Sequence, residues 1–311
     1  MNFQQLRFVR EAVRNNLNLT EVAAVLYTSQ SGVSKQIKDL EDELGIELFV
    51  RSGKRLTGVT RAGDGAVEIV RRILLETENL RRYASQYAGV DSGRLVIAAT
   101  HTQARYTLPH VVEAFNRAFP KVALELHQGT PRQIAAMLSD GDADIGIASE
   151  ALDRAPDVRA YNCFTWRHVV VVPAGHPLLA RTPVTLADIA ACPLVTYNEQ
   201  FTGRQCVDAA FSAAGLVPDL RLTAMDADVI KTYVRRGLGI GIVAEMALDD
   251  VGKGGGHDDL VVLETDGQLF GTCTTMLGVR NGVFLPSFAH RFIEMFAPGV
   301  QAEAPGVMQA A

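Results

Sequence analysis

Apolar positions recur at helical spacing through the first ninety residues, then give way to short apolar runs that alternate with helical stretches. The first pattern, Phe3 to Asn15, puts Leu6, Val9 and Val13 on one face and predicts a helix. A second helix is predicted through EVAAVLY, with Thr20 as its N-cap. A third follows Thr28-Ser29, runs through QSGVSKQIKDLEDELG and stops at Gly45. Its two faces differ: Val33, Ile37, Leu40 and Leu44 form an apolar stripe, while Ser31, Ser34, Lys35 and Lys38 form a small-polar and basic one. ELFVRSGKRLTGV then reads as a strand, a turn at Ser52-Gly53-Lys54 and a return strand. From Thr60 a long helix is predicted, and Ala66, Ile69, Ile73, Leu80, Tyr83 and Tyr87 lie along it in a heptad seam that suits a second copy of the chain.

Beyond Gly93 the pattern changes. Leu95–Ala99, Val122–His127 and Ile145–Ala148 read as buried strands, with helices at Leu108–Phe119 and Gln133–Ser139 between them. After Trp166 a second alternating series follows: strands at Val169–Val172, Leu194–Tyr197, Leu220–Thr223 and Ile240–Val243, and helices at Leu186–Ala190, Arg204–Ala214 and Ala227–Arg236. Two such series predict two α/β lobes with a cleft between them. A final strand near Thr274–Val279 and a helix near Phe288–Phe296 are expected to return to the first lobe. Val251–Asp259 (VGKGGGHDD) reads as a flexible loop, and the tail APGVQAEAPGVMQAA lacks an apolar face.

Composition narrows the classes. No apolar run approaches the ~20 residues of a membrane helix, and MNFQQLRFVR has no signal-peptide pattern, so a cytoplasmic location is expected. Cys163, Cys192, Cys206 and Cys273 form no CxxC pair, which argues against structural zinc or a disulfide framework. The net charge of −5 is unevenly divided: residues 1–90 carry 13 Lys/Arg against 11 Asp/Glu, and the remainder 17 against 24. That small basic excess does not by itself identify a nucleic-acid partner.

The pattern does more. Two helices joined through the short link Tyr27-Thr28, the second short-chained at its start, suit a helix-turn-helix that enters a major groove. Thr28, Ser29, Gln30, Ser31, Ser34, Lys35 and Lys38 are the candidate DNA contacts on that helix. Arg51, Lys54 and Arg55 crowd the hairpin turn, where they would grip phosphates. In the second half, Thr100, Thr102, Gln103, Ser149, Thr202 and Asp226 lie at strand ends or helix starts. Ligands of open α/β sheets bind there, where helix N-termini favour anions. The alternative for each threonine at a helix start is a plain helix cap, and Trp166, near the crossover, is a pocket wall or simple core. An enzyme is not supported. The seven histidines show no HxxxH spacing, there is no GxSxG or P-loop, and GLGIGIV is not spaced as GxGxxG. No catalytic residue and no metal ligand is assigned. The rival from another class is a free small-anion solute-binding protein.

The stretch AAVLYTSQSGVSKQIKDLEDELGIELFVRSGKRLTGVTRAG strongly resembles the DNA-binding domain of LysR-type regulators. THTQARYTLP, HQGTP, DADIGIASE, FTGR and TAMDADVIKTYVRRGLGIG resemble the CysB/Cbl branch, which governs sulfur-assimilation genes. Ser31 stands where the family usually has proline, and Ser149 where branch members have threonine. The resemblance implies an α+β multidomain chain. Residues 1–59 would be a winged helix-turn-helix and 60–90 a linker and dimerisation helix. A periplasmic-binding-protein-like (type 2) effector domain would follow, with lobe I at 91–165 plus 266–296 and lobe II at 166–265, and then a tail at 297–311. It implies that Thr100, Thr102, Gln103, Ser149 and Thr202 line the effector pocket and that no cofactor is used. Candidate effectors are sulfate, thiosulfate, O-acetylserine, N-acetylserine and adenosine 5′-phosphosulfate. Implied partners are double-stranded promoter DNA, RNA polymerase and further copies of the chain, as a homotetramer built as a dimer of dimers.

Overall fold

A computed structural model describes residues 1–53, 55–87, 92–149, 151–201, 203–248 and 260–300. Lys54, Thr202, the loop 251–259 and residues 301–311 of the tail lie outside the described residues. The chain divides into two compact units, Met1–Ala88 with Gly282–Phe284, and Gly89–Asn281 with Leu285–Ala311.

The first unit holds α1 (Phe3–Arg14), α2 (Leu19–Val25), α3 (Gln30–Leu44), the hairpin β1 (Phe49–Ser52) and β2 (Arg55–Val59), and α4 (Arg61–Tyr87). Leu6, Val9, Val22, Val33, Ile37, Leu40, Leu48 and Phe49 bury the apolar faces of these elements in one core. At roughly 1.5–3 kcal/mol per large apolar side chain, that burial is what holds such short helices. The N-cap of α2 is Asn18, not Thr20: its side-chain oxygen accepts from the N–H groups of Thr20 (3.1 Å) and Glu21 (3.5 Å). Asparagine two residues upstream caps the same turn and leaves Thr20 inside the helix. Ser29 caps α3 by accepting from Gly32 N–H (3.1 Å), and Gly45, in the left-handed region at φ 70°, ends it.

The second unit is built on one nine-stranded sheet. Its elements are β3 (Gly93–Ala99), α5 (Leu108–Ala118), β4 (Val122–Gln128), α6 (Pro131–Asp140), β5 (Ile145–Ala148), β6 (Val158–Pro173), α7 (Leu186–Ala190), β7 (Pro193–Tyr197), α8 (Arg204–Ala213), β8 (Asp219–Ala224), α9 (Ala227–Arg235), β9 (Ile240–Ala244), β10 (Leu260–Val262), β11 (Thr272–Arg280) and α10 (Ser287–Phe296). The strand path is β4-β3-β5-β11-β6-β9-β7-β8, with β10 on β6. The parallel trio β4-β3-β5 forms one half and the trio β9-β7-β8 the other. The long strand β6 joins them, pairing with β11 from Val158 to Arg167 and with β9 from His168 to Val171. Separate apolar cores sit in the two halves, around Ile134 and Leu138 in the first and around Ile230 and Leu194 in the second.

Two sequence expectations change here. The strand expected at Val169–Val172 begins at Val158, because its first half pairs with β11, a partner more than a hundred residues away. Helical backbone also begins at His101 instead of Leu108 and passes through a π-helical turn at Gln103–Thr107 before α5. Such turns are frequent at functional sites.

Candidate functional site

Two sets of polar side chains stand out, one in each unit. In the first, α3 presents Thr28, Ser29, Gln30, Ser31, Lys35 and Lys38 as exposed residues, with Ser34 half-buried beside them. The turn into α3 is a Schellman motif: Thr28 N–H donates to the Ala23 carbonyl (2.9 Å) and Tyr27 N–H to Ala24 (3.3 Å). Tyr27 takes the left-handed conformation at φ 50° and is 97% exposed. The Lys38 ammonium pairs with Asp42 at 3.0 Å, and the bond to Asp42 holds its pKa above the ordinary lysine value. Arg55 is exposed on β2.

Arg51, expected as a wing cation, also holds a structural ion pair. Its guanidinium bonds Glu41 at 2.9 Å, and only 27% of its side chain is exposed. Glu41 is buried and also accepts from the N–H groups of Leu48 (2.8 Å) and Phe49 (3.1 Å). This carboxylate ties α3 to the start of β1, so Arg51 neutralises a buried charge.

In the second unit the polar set lies at the carboxyl ends of β3 and β5 and on the crossover strands. Thr100, Thr102, Gln103, Ser149 and Trp166 are all buried. Thr100 follows β3, and its N–H donates to the Ile147 carbonyl of β5 (3.1 Å). Thr102 hydrogen-bonds the hydroxyl of Tyr197, which also accepts from Ala244 N–H at 3.1 Å. Burial pushes the Tyr197 phenol well above its ordinary pKa, so it remains neutral. The Gln103 amide donates to Thr275 Oγ1 at 2.9 Å. Ser149 lies one step past the Ala148–Met276 strand pair, level with Thr275.

Trp166 and Cys273 are paired across β6 and β11. Phe164, Trp166 and His168 share one face of β6 by strand alternation. The Trp166 and His168 rings meet at 5.0 Å, and His168 meets Tyr197 at 6.2 Å. Gly203 closes against this group: at φ 64°, a Cβ built on it would lie 2.5 Å from Cys273 Sγ and 2.9 Å from His168. No larger side chain fits there, and the left-handed backbone disfavours one independently. Trp166 Nε1 and Gln103 Oε1 are buried and have no hydrogen-bond partner among the described residues. Buried polar atoms are rarely left so, and each such atom asks for an explanation, a bound water or ion among them. Asp226 differs from the other candidates. It is the N-cap of α9, accepting from Val229 N–H at 2.8 Å.

Comparison with known proteins places both sets in context. Residues 3–64 match the model of the bacterial regulatory helix-turn-helix protein, lysR family, and residues 88–301 match the LysR substrate binding domain. The chain belongs to the LysR family. It is 59% identical to the HTH-type transcriptional regulator SsuR of Burkholderia cenocepacia, over 100% of both chains. It is 50% identical to the regulator cbl of Escherichia coli K12, over 97% of this chain and 94% of that one. CysB of B. cenocepacia is 49% identical, over 96% and 94%. The crystal structure of the cofactor-binding domain of the Cbl transcriptional regulator, 47% identical, superposes with a TM-score of 0.63 over 68% of this chain and 90% of that one. Full-length CbnR complexed with its target DNA shares the fold at 22% identity and a TM-score of 0.58, over 95% and 99% of the chains.

This LysR protein is therefore a transcriptional regulator and not an enzyme, in the group of SsuR, Cbl and CysB, regulators of sulfur assimilation. LysR regulators bind promoter DNA and a small-molecule effector. The solute-binding alternative fails on the helix-turn-helix match at residues 3–64. Several residues around this buried polar set carried no sequence signal: Tyr197, His168, Cys273 and Thr275 sit inside apolar or mixed strand runs and read as core. Glu41 was also missed, although its place beside Leu40 and Ile37 on the buried stripe was visible.

Proposed function

We propose that this regulator occupies promoters of sulfur-assimilation genes and changes their transcription when a small anionic or polar sulfur metabolite settles between its lobes. The single observation that supports the pocket is the pair of buried, unpartnered polar atoms, Trp166 Nε1 and Gln103 Oε1, beside the Thr102–Tyr197 bond. An indole N–H donates, so the ligand must bring an acceptor there. Thr100, Thr102, Gln103, Ser149, Trp166 and Thr202 form the binding set; Asp226 shapes it as the cap of α9. Sulfate, thiosulfate, O-acetylserine, N-acetylserine and adenosine 5′-phosphosulfate all carry the required acceptors. No cofactor is invoked.

Residues 1–59 are assigned to DNA binding, with Lys35, Lys38, Lys54 and Arg55 as phosphate or base contacts and Thr28 to Ser34 as the close-approach surface. Residues 60–90 carry the contact to a second copy. Val67, Val70 and Leu74 of α4 face their own core, whereas Ile69, Leu80 and Tyr87 remain exposed. Those exposed positions are half of the heptad seam, which favours a dimer and, by pairing of dimers, a tetramer. Lobe I takes 91–165 and 266–296, and lobe II takes 166–265, with 297–311 as a tail. RNA polymerase is the downstream partner, and the setting is cytoplasmic; no described helix is long and apolar enough to cross a membrane. Thermal-shift titration of the full chain tests the pocket. One of the named metabolites is expected to raise the melting temperature, and a flat response to all of them would refute the assignment.

A further inference from the structure

Two of the four cysteines have been brought together by the fold. Cys206 lies in the first turn of α8 and Cys273 in β11, 67 residues apart in sequence, yet their sulfurs are 3.4 Å apart. Cys273 is buried, and Cys206 is half-buried. His168 Nδ1 stands 4.0 Å from Cys273 Sγ. A disulfide bond is about 2.05 Å long, so the sulfurs must close by roughly 1.4 Å. Cys206 belongs to the segment that begins at Gly203, whose backbone packs on the same cysteine.

We propose that Cys206 and Cys273 form a modification site at which hydrogen peroxide converts the thiol pair into an intrachain disulfide. The Cys206 sulfur, the more exposed of the two, gives up its proton and attacks one peroxide oxygen. The O–O bond breaks, and the departing hydroxide takes the proton as water, leaving a sulfenic acid on Cys206. The Cys273 sulfur then attacks the Cys206 sulfur. The S–O bond breaks, and hydroxide leaves with the Cys273 proton as a second water; His168 is placed to relay that proton. Two thiols and one peroxide become one disulfide and two waters, with two electrons passing from sulfur to oxygen. The bond ties α8 to β11. Cys273 shares its strand face with Thr275, the partner of Gln103, so oxidation alters binding between the lobes; this last step rests on the pocket reading above.

The other cysteines serve as internal controls. Burial pushes the Cys163 thiol up to about 11 and raises Cys192 as well, so neither offers much thiolate near neutral pH. Reduced full-length protein would be treated with hydrogen peroxide, alkylated and mapped by mass spectrometry without reductant. The expected product is a peptide pair joining Cys206 to Cys273, lighter by two hydrogens, with Cys163 and Cys192 still alkylated and dithiothreitol reversing the link. Cys206→Ser and Cys273→Ser should each abolish it, and Cys206→Ser should leave promoter-DNA binding by the reduced protein intact. Four alkylatable thiols after treatment, a link between separate chains, or only oxygenated Cys206 would overturn the proposal. The oxidised and reduced proteins would then be titrated with sulfate, thiosulfate, O-acetylserine, N-acetylserine and adenosine 5′-phosphosulfate. An affinity change of several-fold for one of them supports the coupling. Equal affinities overturn the coupling but leave the bond standing, and binding of none of them by the reduced protein overturns the pocket reading instead.

Discussion

At the scale of single residues, charge that looks equivalent in the sequence divides into two kinds. Lys35 is exposed on α3, whereas Arg51 neutralises the buried carboxylate of Glu41. Lys35→Ala is expected to leave the melting temperature unchanged, weaken DNA binding across sequences and reduce the salt slope of log K by about one. Arg51→Ala strands a buried charge and is expected to cost about 3 kcal/mol of stability in denaturant unfolding. A normal unfolding curve for Arg51→Ala would remove the structural role assigned to it. The stripe of Val33, Ile37 and Leu40 and the Ser29 cap were legible from spacing and side-chain chemistry alone. The Glu41–Arg51 pair was not, because ten residues and a change of element separate its partners. In the second unit, the places of Thr100, Thr102, Gln103 and Ser149 at or just beyond strand ends were legible in the sequence. Tyr197 and Thr275 were not, since only the folded register brings them to Thr102 and Gln103.

At the scale of elements, α4 satisfies two demands on different faces. Val67, Val70 and Leu74 fill their own domain's core, and Ile69, Leu80 and Tyr87 point elsewhere. Leu80 is 67% exposed, so Leu80→Glu is expected to leave the fold intact and shift the sedimentation of the protein toward monomer; an unchanged sedimentation profile would exclude this seam. A second device lies between the π-helical turn at Gln103–Thr107 and α9. Tyr106 donates to Asp228 at 2.7 Å, and the buried Lys231 bonds Tyr106 (3.1 Å), Asp228 (3.1 Å) and the Ala247 carbonyl (2.8 Å). Burial works to raise the Asp228 carboxyl, but the bonds from Tyr106 and Lys231 and the charge of Lys231 outweigh it and hold it below the ordinary value. A carboxyl depressed on folding contributes stability above its unfolded pKa, about 3.9, and that contribution is lost as pH falls through the lower folded value. Asp228→Asn is therefore expected to flatten the acid limb of the stability curve in melts from pH 6 down to about 3. An acid limb as steep as that of the unmodified chain would count against this bridge.

At the scale of the whole molecule, the alternation of strands and helices made the α/β halves legible, and the family resemblance supplied the domain order. The crossover was harder: the first ten residues of β6 gain their partner only from β11, and no local periodicity announces a strand that changes partners midway. That crossover carries Trp166, sets it opposite Cys273 of β11, and connects the two halves of the effector domain. A metabolite can alter DNA occupancy only by binding more tightly to one arrangement of the protein than to another. The most direct measurement is the affinity of the full chain for a sulfur-assimilation promoter fragment, by fluorescence anisotropy, with and without each candidate metabolite. One metabolite is expected to shift the dissociation constant by about fivefold or more, and Trp166→Phe, which keeps an aromatic side chain but removes the indole N–H with its ring, should blunt that shift while preserving basal binding. Superimposable titration curves for every metabolite, or a full response in Trp166→Phe, would contradict it.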